Sequence, residues 1–145
     1  MRINGEWKLC DDGVVRPVMR ARVLSSAGDW LVAEFLVDTG ADRTVFDART
    51  LGKLGLPALA SEEEISGLGG LTGSVMIETK LNLPRDDGAS VSFTSSFTAV
   101  TNPTALDLCV LGRDIMDLFA VIIDRPGNII CLLSQKHHYT ITQEK

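Results

Sequence analysis

The chain has few cysteines, few aromatic residues and no long apolar run. Its 145 residues include only Cys10, Cys109 and Cys131, with no CxxC pair. Each cysteine lies in or beside an apolar run, so we expect small buried thiols rather than a disulfide or a metal site. Free thiols are typical of a reducing compartment, and we therefore expect a cytoplasmic protein.

Two further absences bear on the partners. No window reaches the roughly 18 consecutive apolar residues of a membrane span, and the N-terminus lacks the apolar segment of a signal peptide. The formal net charge is −5, and no basic run is present that would follow a phosphate backbone. We therefore expect neither a membrane nor nucleic acid as a partner.

Turn signals instead recur at short intervals, with β-prone runs between them. This spacing predicts a single all-β domain over residues 1–145, with one or two short helices. The predicted strands are 6–10, 14–24, 30–37, 59–65, 74–83, 89–101, 106–111, 120–124 and 128–133. The run 30–37 is almost entirely apolar, so we expect it to be buried on both faces. The predicted helices are 47–54, with Asp47 as N-cap and Gly55 as stop, and 113–119.

Three short motifs follow one another along the chain. The apolar run 30–37 ends in Asp38-Thr39-Gly40, which could by itself be an ordinary turn. A glycine-rich hairpin tip, Gly67-Leu68-Gly69-Gly70, follows; it lacks the Lys-Ser/Thr of a phosphate loop and leads into no helix. The third motif is Val110-Leu111-Gly112, followed by Arg113-Asp114 and a short helix. Their order carries more information than any one of them.

In this order the motifs resemble the retropepsin-like aspartic proteases, the family of the retroviral proteases. The resemblance implies a closed, β-barrel-like fold with a glycine-rich flap, and an aspartic endopeptidase that needs no metal or cofactor. The chain continues beyond the short helix through residues 120–133. This layout is more similar to the cellular and bacterial members, including ubiquitin-shuttle proteins of the Ddi type, than to the retroviral enzymes.

The chemistry of such enzymes requires two carboxyl groups. One accepts a proton from the attacking water while its neighbour, still protonated, polarises the peptide carbonyl. Carboxyl groups a few Å apart do not both ionise easily, so they share a proton and titrate as a pair. The chain has a single Asp-Thr-Gly, so the second Asp38 must come from a second copy in a two-fold homodimer.

The resemblance also implies roles for neighbouring residues. Thr39 would hydrogen-bond into the opposite subunit, and Gly40 would allow close backbone approach and support the carboxylate. Asp42 would pair with Arg113, and the loss of one partner could cost about 3–5 kcal/mol if the pair is partly buried. A peptide or protein substrate would bind as an extended strand beneath the flap residues 67–70. Its side chains would meet apolar subsites, for which Leu36, Val45, Leu68 and Leu111 are the candidates.

Other interpretations fit fewer residues. A non-catalytic dimerisation or peptide-binding module on the same fold has no need of the intact Asp-Thr-Gly. A metal-dependent hydrolase using Asp38, Asp42 and Asp47 lacks a convincing ligand set. The adjacent His137 and His138 would point to opposite faces of a strand, and residues 62–64 are typical of a solvated acidic face.

Overall fold

Two β-sheets make up most of the structure. The computed structural model describes residues 1–59, 63–67, 70–134 and 138–144. The strands are β1 (Arg2–Asn4), β2 (Glu6–Leu9), β3 (Val15–Leu24), β4 (Trp30–Val37), β5 (Val45–Phe46), β6 (Glu63–Gly67), β7 (Gly70–Pro84), β8 (Ser90–Val100), β9 (Cys109–Leu111), β10 (Ala120–Asp124) and β11 (Ile129–Leu133). The helices within these ranges are α1 (Ala48–Leu54) and α2 (Arg113–Met116). The predicted all-β class with short helices is therefore confirmed.

Part of the larger sheet closes into a ring. Its strand order is β2-β3-β4-β9-β5-β8-β7-β6, and an additional pairing of β3 with β7 completes the closure. Strand β3 can do this because it pairs with β4 along one edge and with β2 and then β7 along the other. Pro17 lies opposite Trp7 of β2, one residue before the pairing with β4 begins at Val18. A proline there removes no donor from a strand paired on both sides, and the expected barrel-like closure is confirmed.

The interior of the ring is filled by aromatic and aliphatic side chains. Phe46 contacts Phe35 and Phe97 edge to face, with ring centroids 5.6 and 5.5 Å apart. All three rings are buried, and such contacts each contribute about 0.5–1.5 kcal/mol beyond burial. Strand β5 has only two residues and directly follows the loop that begins at Asp38. The burial of Phe46 therefore holds the end of that loop in place.

Strand β4 differs from the prediction in its burial. Ala33, Phe35 and Val37 face the core, whereas Val32 is 68% exposed and Trp30 also reaches solvent. The expectation of burial on both faces is therefore wrong. Only one face of β4 packs into the ring, and the other is open to water, as is common in largely antiparallel sheets.

A three-stranded antiparallel sheet, β1-β11-β10, lies beside the ring. The Trp7 indole donates to the Asp124 carbonyl at 3.1 Å, and the Arg125 guanidinium lies 5.3 Å from the Trp7 ring centroid. These contacts join strand β2 to the β10–β11 hairpin. Neither described helix has the length or apolar character needed to cross a bilayer.

Both predicted helices are present. The Asp47 carboxylate accepts from the Thr50 amide at 3.0 Å, and Gly55 ends α1 with a left-handed φ of 63°. The predicted N-cap and stop of α1 are therefore confirmed. Helix α2 ends at Met116 rather than residue 119, because the next residues form tighter turns. Strands β1 and β5 were not predicted, since two or three residues show no periodicity.

Candidate active site

Asp38 follows β4 at the point where β4 and β9 end side by side. The two strands are parallel, with Val37 opposite Leu111, so the residues after them leave the ring at the same end. The Asp38 amide donates to the Leu111 carbonyl at 3.2 Å. This pairing brings the first and third sequence motifs together in one site.

The Asp38 side chain is oriented by its own loop. The Gly40 amide donates to Asp38 Oδ1 at 2.9 Å, and the Ala41 amide donates to the Asp38 carbonyl at 3.2 Å. Asp38 is half-buried, whereas Thr39 and Gly40 are exposed. The carboxylate is thus held at one oxygen while remaining accessible from outside the chain.

Thr39 and Gly40 have little to contact within one chain. An added Cβ at Gly40 would meet only Asp38 Oδ1, at 3.3 Å, so the expected close backbone approach does not occur inside the chain. The Thr39 hydroxyl has no hydrogen-bond partner among the described residues. Among the described residues, these two are therefore open to solvent apart from the Gly40 hydrogen bond to Asp38.

Arg113 contacts the Asp38 loop from helix α2. Its guanidinium is hydrogen-bonded to Asp42 Oδ1, and its amide donates to the Ala41 carbonyl at 2.8 Å. The ion pair is exposed, with side-chain exposures of 79% for Asp42 and 48% for Arg113. An exposed pair of this kind contributes about 0–1 kcal/mol, so the larger value considered for a partly buried pair does not apply.

A second link, between Thr44 and Asp114, was not predicted from the sequence. The Thr44 amide donates to Asp114 Oδ1 and Oδ2 at 3.0 and 2.9 Å, and the Thr44 hydroxyl donates to Oδ1 at 2.7 Å. That hydroxyl also accepts from the Gly112 amide at 3.1 Å. The sequence does contain one signal for this link. Asp114 is a carboxylate in the first turn of the predicted helix 113–119, directly after the Val110-Leu111-Gly112 motif.

Gly112 is required by the close packing of the two motifs. An added Cβ would lie 2.3 Å from the Arg43 carbonyl carbon, 2.4 Å from its oxygen and 2.8 Å from the Thr44 nitrogen. These atoms belong to the backbone and have no room to move aside. The glycine of the third motif therefore lets the Asp38 loop lie directly against the start of α2.

A cavity of about 460 Å³ opens beside β4. Its apolar lining includes Leu36, Leu108 and Val110, and Leu36 lies on the same face of the strand as Asp38 because strand side chains alternate. Leu111 is fully buried, so the expectation that it lines a subsite is wrong. Its neighbour Val110 points into the cavity instead, as the same alternation requires.

The cavity rim is charged, but two of its cations are already paired. Lys8 is hydrogen-bonded to Glu34, which raises the pKa of Lys8. Arg16 donates two hydrogen bonds to Asp12, at 2.8 and 2.6 Å. Together with the Val14 amide, Arg16 lowers the pKa of Asp12 to about 2. Leu36, Leu108 and Val110 can thus receive a nonpolar side chain, while Arg49, Asp11 and Asp107 add further charge to the lining.

The three cysteines are free, as predicted, although they differ in burial. Cys109 and Cys131 are buried, but Cys10 is only half-buried because it follows β2 at a hairpin turn beside the cavity. Cys109 Sγ lies 3.4 Å from both Asp47 Oδ1 and Thr50 Oγ1. Burial raises the pKa of the Cys109 thiol to about 12, so Cys109 is a packing residue.

The candidate flap is an antiparallel hairpin of β6 and β7. Gly67 pairs with Gly70 at its end, while Leu68 and Gly69 lie outside the described residues. His137 also lies outside them. In the described part of the chain, no three His, Cys, Asp or Glu side chains are grouped as metal ligands, and Asp47 is engaged as the helix cap. Asp38, Asp42 and Asp47 therefore do not form a ligand set.

The sequence and the fold were compared with those of known proteins. A sequence model of the family described as retroviral aspartyl protease matches residues 14–124, well over half of the chain. The matched segment includes all three motifs. No curated protein sequence matches the chain.

Two solved structures illustrate the likeness in fold. A retropepsin-like aspartic protease from Rickettsia conorii aligns with a TM-score of 0.56 and 18% identity, covering 91% of this chain and 90% of that one. The EIAV protease in complex with the inhibitor HBY-793 aligns with a TM-score of 0.53 and 18% identity, covering 70% and 86%. The bacterial structure thus covers more of this chain than the viral one does.

Proposed function

Because the chain belongs to the retroviral aspartyl protease family and is an aspartic protease, we propose that it acts as a homodimeric endopeptidase. Each subunit, a single domain over residues 1–145, would supply one Asp38 to a shared site. The observation that carries the proposal is the Asp38 loop itself. Its carboxylate is held by Gly40 and accessible, while Thr39 has no partner among the described residues of its own chain.

In this mechanism the two Asp38 carboxyls share one proton. The ionised carboxyl accepts a proton from a water molecule as that water attacks the peptide carbonyl carbon. The protonated carboxyl donates its proton to the carbonyl oxygen, which gives a tetrahedral diol. The carboxyl that took the water proton passes it to the leaving amine as the C–N bond breaks, and the new carboxylic acid returns a hydroxyl proton to the other Asp38, so the shared proton is restored. The Gly40 amide, 2.9 Å from Asp38 Oδ1, supports the ionised form.

The substrate would be a peptide or an unfolded protein segment in extended conformation. One of its apolar side chains would enter the cavity lined by Leu36, Leu108 and Val110. The flap hairpin, residues 67–70 at its tip, would close over the peptide from the other side. Asp42 and Arg113 would support the loop rather than contact the substrate.

The β10–β11 hairpin supports dimerisation. Strand β10 pairs only with β11, so its other edge carries no strand among the described residues. Leu118, Ile123 and Ile129 on and beside the hairpin are exposed. An unprotected edge flanked by apolar side chains is suited to pair with a second copy. The three free thiols support a reducing compartment, and we place the enzyme in the cytoplasm.

The proposal is tested by incubating an unstructured protein substrate with wild type and Asp38→Asn between pH 4 and 7. We expect cleavage by wild type, unaffected by EDTA, and none by Asp38→Asn. Asp117→Asn, an exposed aspartate in the same region, is the matched control and should cleave normally. Cleavage that survives in Asp38→Asn would overturn the assignment. A stable wild-type dimer that cleaves nothing would favour a peptide-binding module.

The shared site is tested by mixing. Titrating Asp38→Asn into a fixed amount of wild type should form mixed dimers with one catalytic aspartate. Random exchange with an equal amount of the variant leaves about half of the wild-type dimers by mass action, and excess variant drives activity towards zero. Activity that stays constant through the titration would show that each chain works alone.

A further inference from the structure

The loop that carries Asp38 is closed at its far end by a single side chain, that of Asp114. Thr44, the last residue of the loop, is only 1% exposed. Its amide and hydroxyl both donate to the Asp114 carboxylate, at distances between 2.7 and 3.0 Å. The Asp114 carboxylate also accepts from the Ile115 amide at 2.9 Å, which fixes it against helix α2.

The Thr44 hydroxyl is hydrogen-bonded to two residues of one neighbouring segment. It donates to Asp114 in helix α2 and accepts from the Gly112 amide at 3.1 Å. Gly112 directly follows Leu111, whose carbonyl accepts from the Asp38 amide at 3.2 Å. The beginning and the end of the loop are therefore attached to the same short segment, residues 111–114. Between these ends the Ala41 and Asp42 carbonyls accept from the Arg113 and Asp114 amides, and the Asp42 carboxylate pairs with Arg113. The anchors of the loop in the described chain thus converge on residues 111–114, so a displacement at Thr44 shifts the loop against this segment and changes the position of Asp38.

We propose that Asp114 is a positioning residue for the reaction, which acts through Thr44 to set the orientation of the Asp38 carboxylate. This inference rests on the proposed function. In a shared site the separation of the two carboxyls depends on where each loop holds its aspartate. A displacement of about 1 Å in a catalytic group can cost roughly 10²-fold in rate. Neither Thr44 nor Asp114 lines the cavity proposed to receive a substrate side chain, so the loss should fall on kcat more than on KM.

The experiment compares two pairs of variants by steady-state kinetics on one peptide substrate. Asp114→Ala removes the acceptors, whereas Asp114→Asn keeps one carbonyl oxygen that can accept from Thr44. Thr44→Val removes the hydroxyl without changing the shape, and Thr44→Ser restores it. We expect kcat to fall about 10- to 100-fold in Asp114→Ala and Thr44→Val with KM within about threefold, and to recover most of the way in Asp114→Asn and Thr44→Ser. Asp117→Ala, which removes an exposed carboxylate from the end of the same helix, is the matched control.

Two results would overturn the inference. One is a kcat for Asp114→Ala and Thr44→Val within twofold of the Asp117→Ala value. The other is an equal loss in the Asn and Ser variants, which would point to general destabilisation rather than positioning. Amide hydrogen exchange, measured without substrate, tests each hydrogen bond separately. Exchange of the Thr44 amide should accelerate in Asp114→Ala, which removes its acceptor, and exchange of the Gly112 amide should accelerate in Thr44→Val. If instead Asp38→Asn stays active, the proposed function fails, while the exchange result still reports on the loop.

Discussion

Two side-chain links join the Asp38 loop to helix α2, and they differ in burial. The outer link, Asp42 with Arg113, is an ion pair open to water at both ends. The inner link, Thr44 with Asp114, joins a buried threonine to an exposed aspartate through several hydrogen bonds. Water replaces the partners of an exposed pair at little cost, whereas a buried donor left without a partner costs about 1–3 kcal/mol. The charged pair that is easiest to see in the sequence is therefore the weaker link.

The largest loss of stability should come from a substitution that pushes the Asp38 loop away from helix α2. In Gly112→Ala the new Cβ would overlap the backbone of Arg43 at 2.3–2.4 Å. We expect the free energy of unfolding to fall by about 3 kcal/mol or more, as measured by urea denaturation at fixed pH.

Gly52→Ala is the matched control for this substitution. Gly52 lies inside helix α1, and an added Cβ there meets nothing within 4 Å. This variant should gain about 0.5–1 kcal/mol, because alanine is the better helix former. Similar unfolding free energies for the two variants would show that the loop does not pack tightly against Gly112.

The outer link should matter much less for stability. A double-mutant cycle of Asp42→Asn and Arg113→Gln should give a coupling energy below about 1 kcal/mol, because both side chains are exposed. The coupling should shrink further in 1 M NaCl, where charges are screened over about 3 Å. A coupling energy above about 2 kcal/mol that is insensitive to salt would reverse the ranking of the two links.

A second exposed pair, Asp12 with Arg16, shows how little an exposed pair contributes to stability. Its effect on the free energy of unfolding should be the smallest of those considered, and it should depend on pH. Its hydrogen bonds lower the pKa of Asp12 to about 2, against about 3.9 in an unfolded chain. The pair therefore stabilises the fold fully above pH 4, and this contribution is lost as the pH falls from 4 to 2. Unfolding free energies of wild type and Asp12→Asn, measured across this range, should converge at low pH. Curves that stay parallel would contradict the assignment.

The fold could be predicted well from the sequence wherever a local signal was long enough. Turn signals and β-prone runs located most strands, and the Asp47 cap and Gly55 stop bounded helix α1. Strand β5, with two residues, carries no periodicity of its own and exists because Phe46 packs between Phe35 and Phe97. The exposed face of β4 was missed because an apolar run does not reveal whether both faces are covered.

The candidate site could be predicted only in part. Asp38 and Arg113 belong to recognisable motifs, so the sequence indicated both. Thr44 and Asp114 were missed because their roles depend on a contact across 70 positions, which no local pattern encodes. Leu111 was assigned to a subsite, whereas alternation along β9 directs Val110 to the cavity and Leu111 to the core.

The parallel pairing of β4 with β9 also has a consequence for how the enzyme comes into being. Val37 and Leu111 must meet before Asp38 is oriented, and parallel strands distant in sequence pair only after a long segment has closed. A chain still on the ribosome with residues 109–114 unmade therefore lacks the site. If the proposed site is the catalytic one, the topology thus delays proteolytic competence until synthesis has passed this segment.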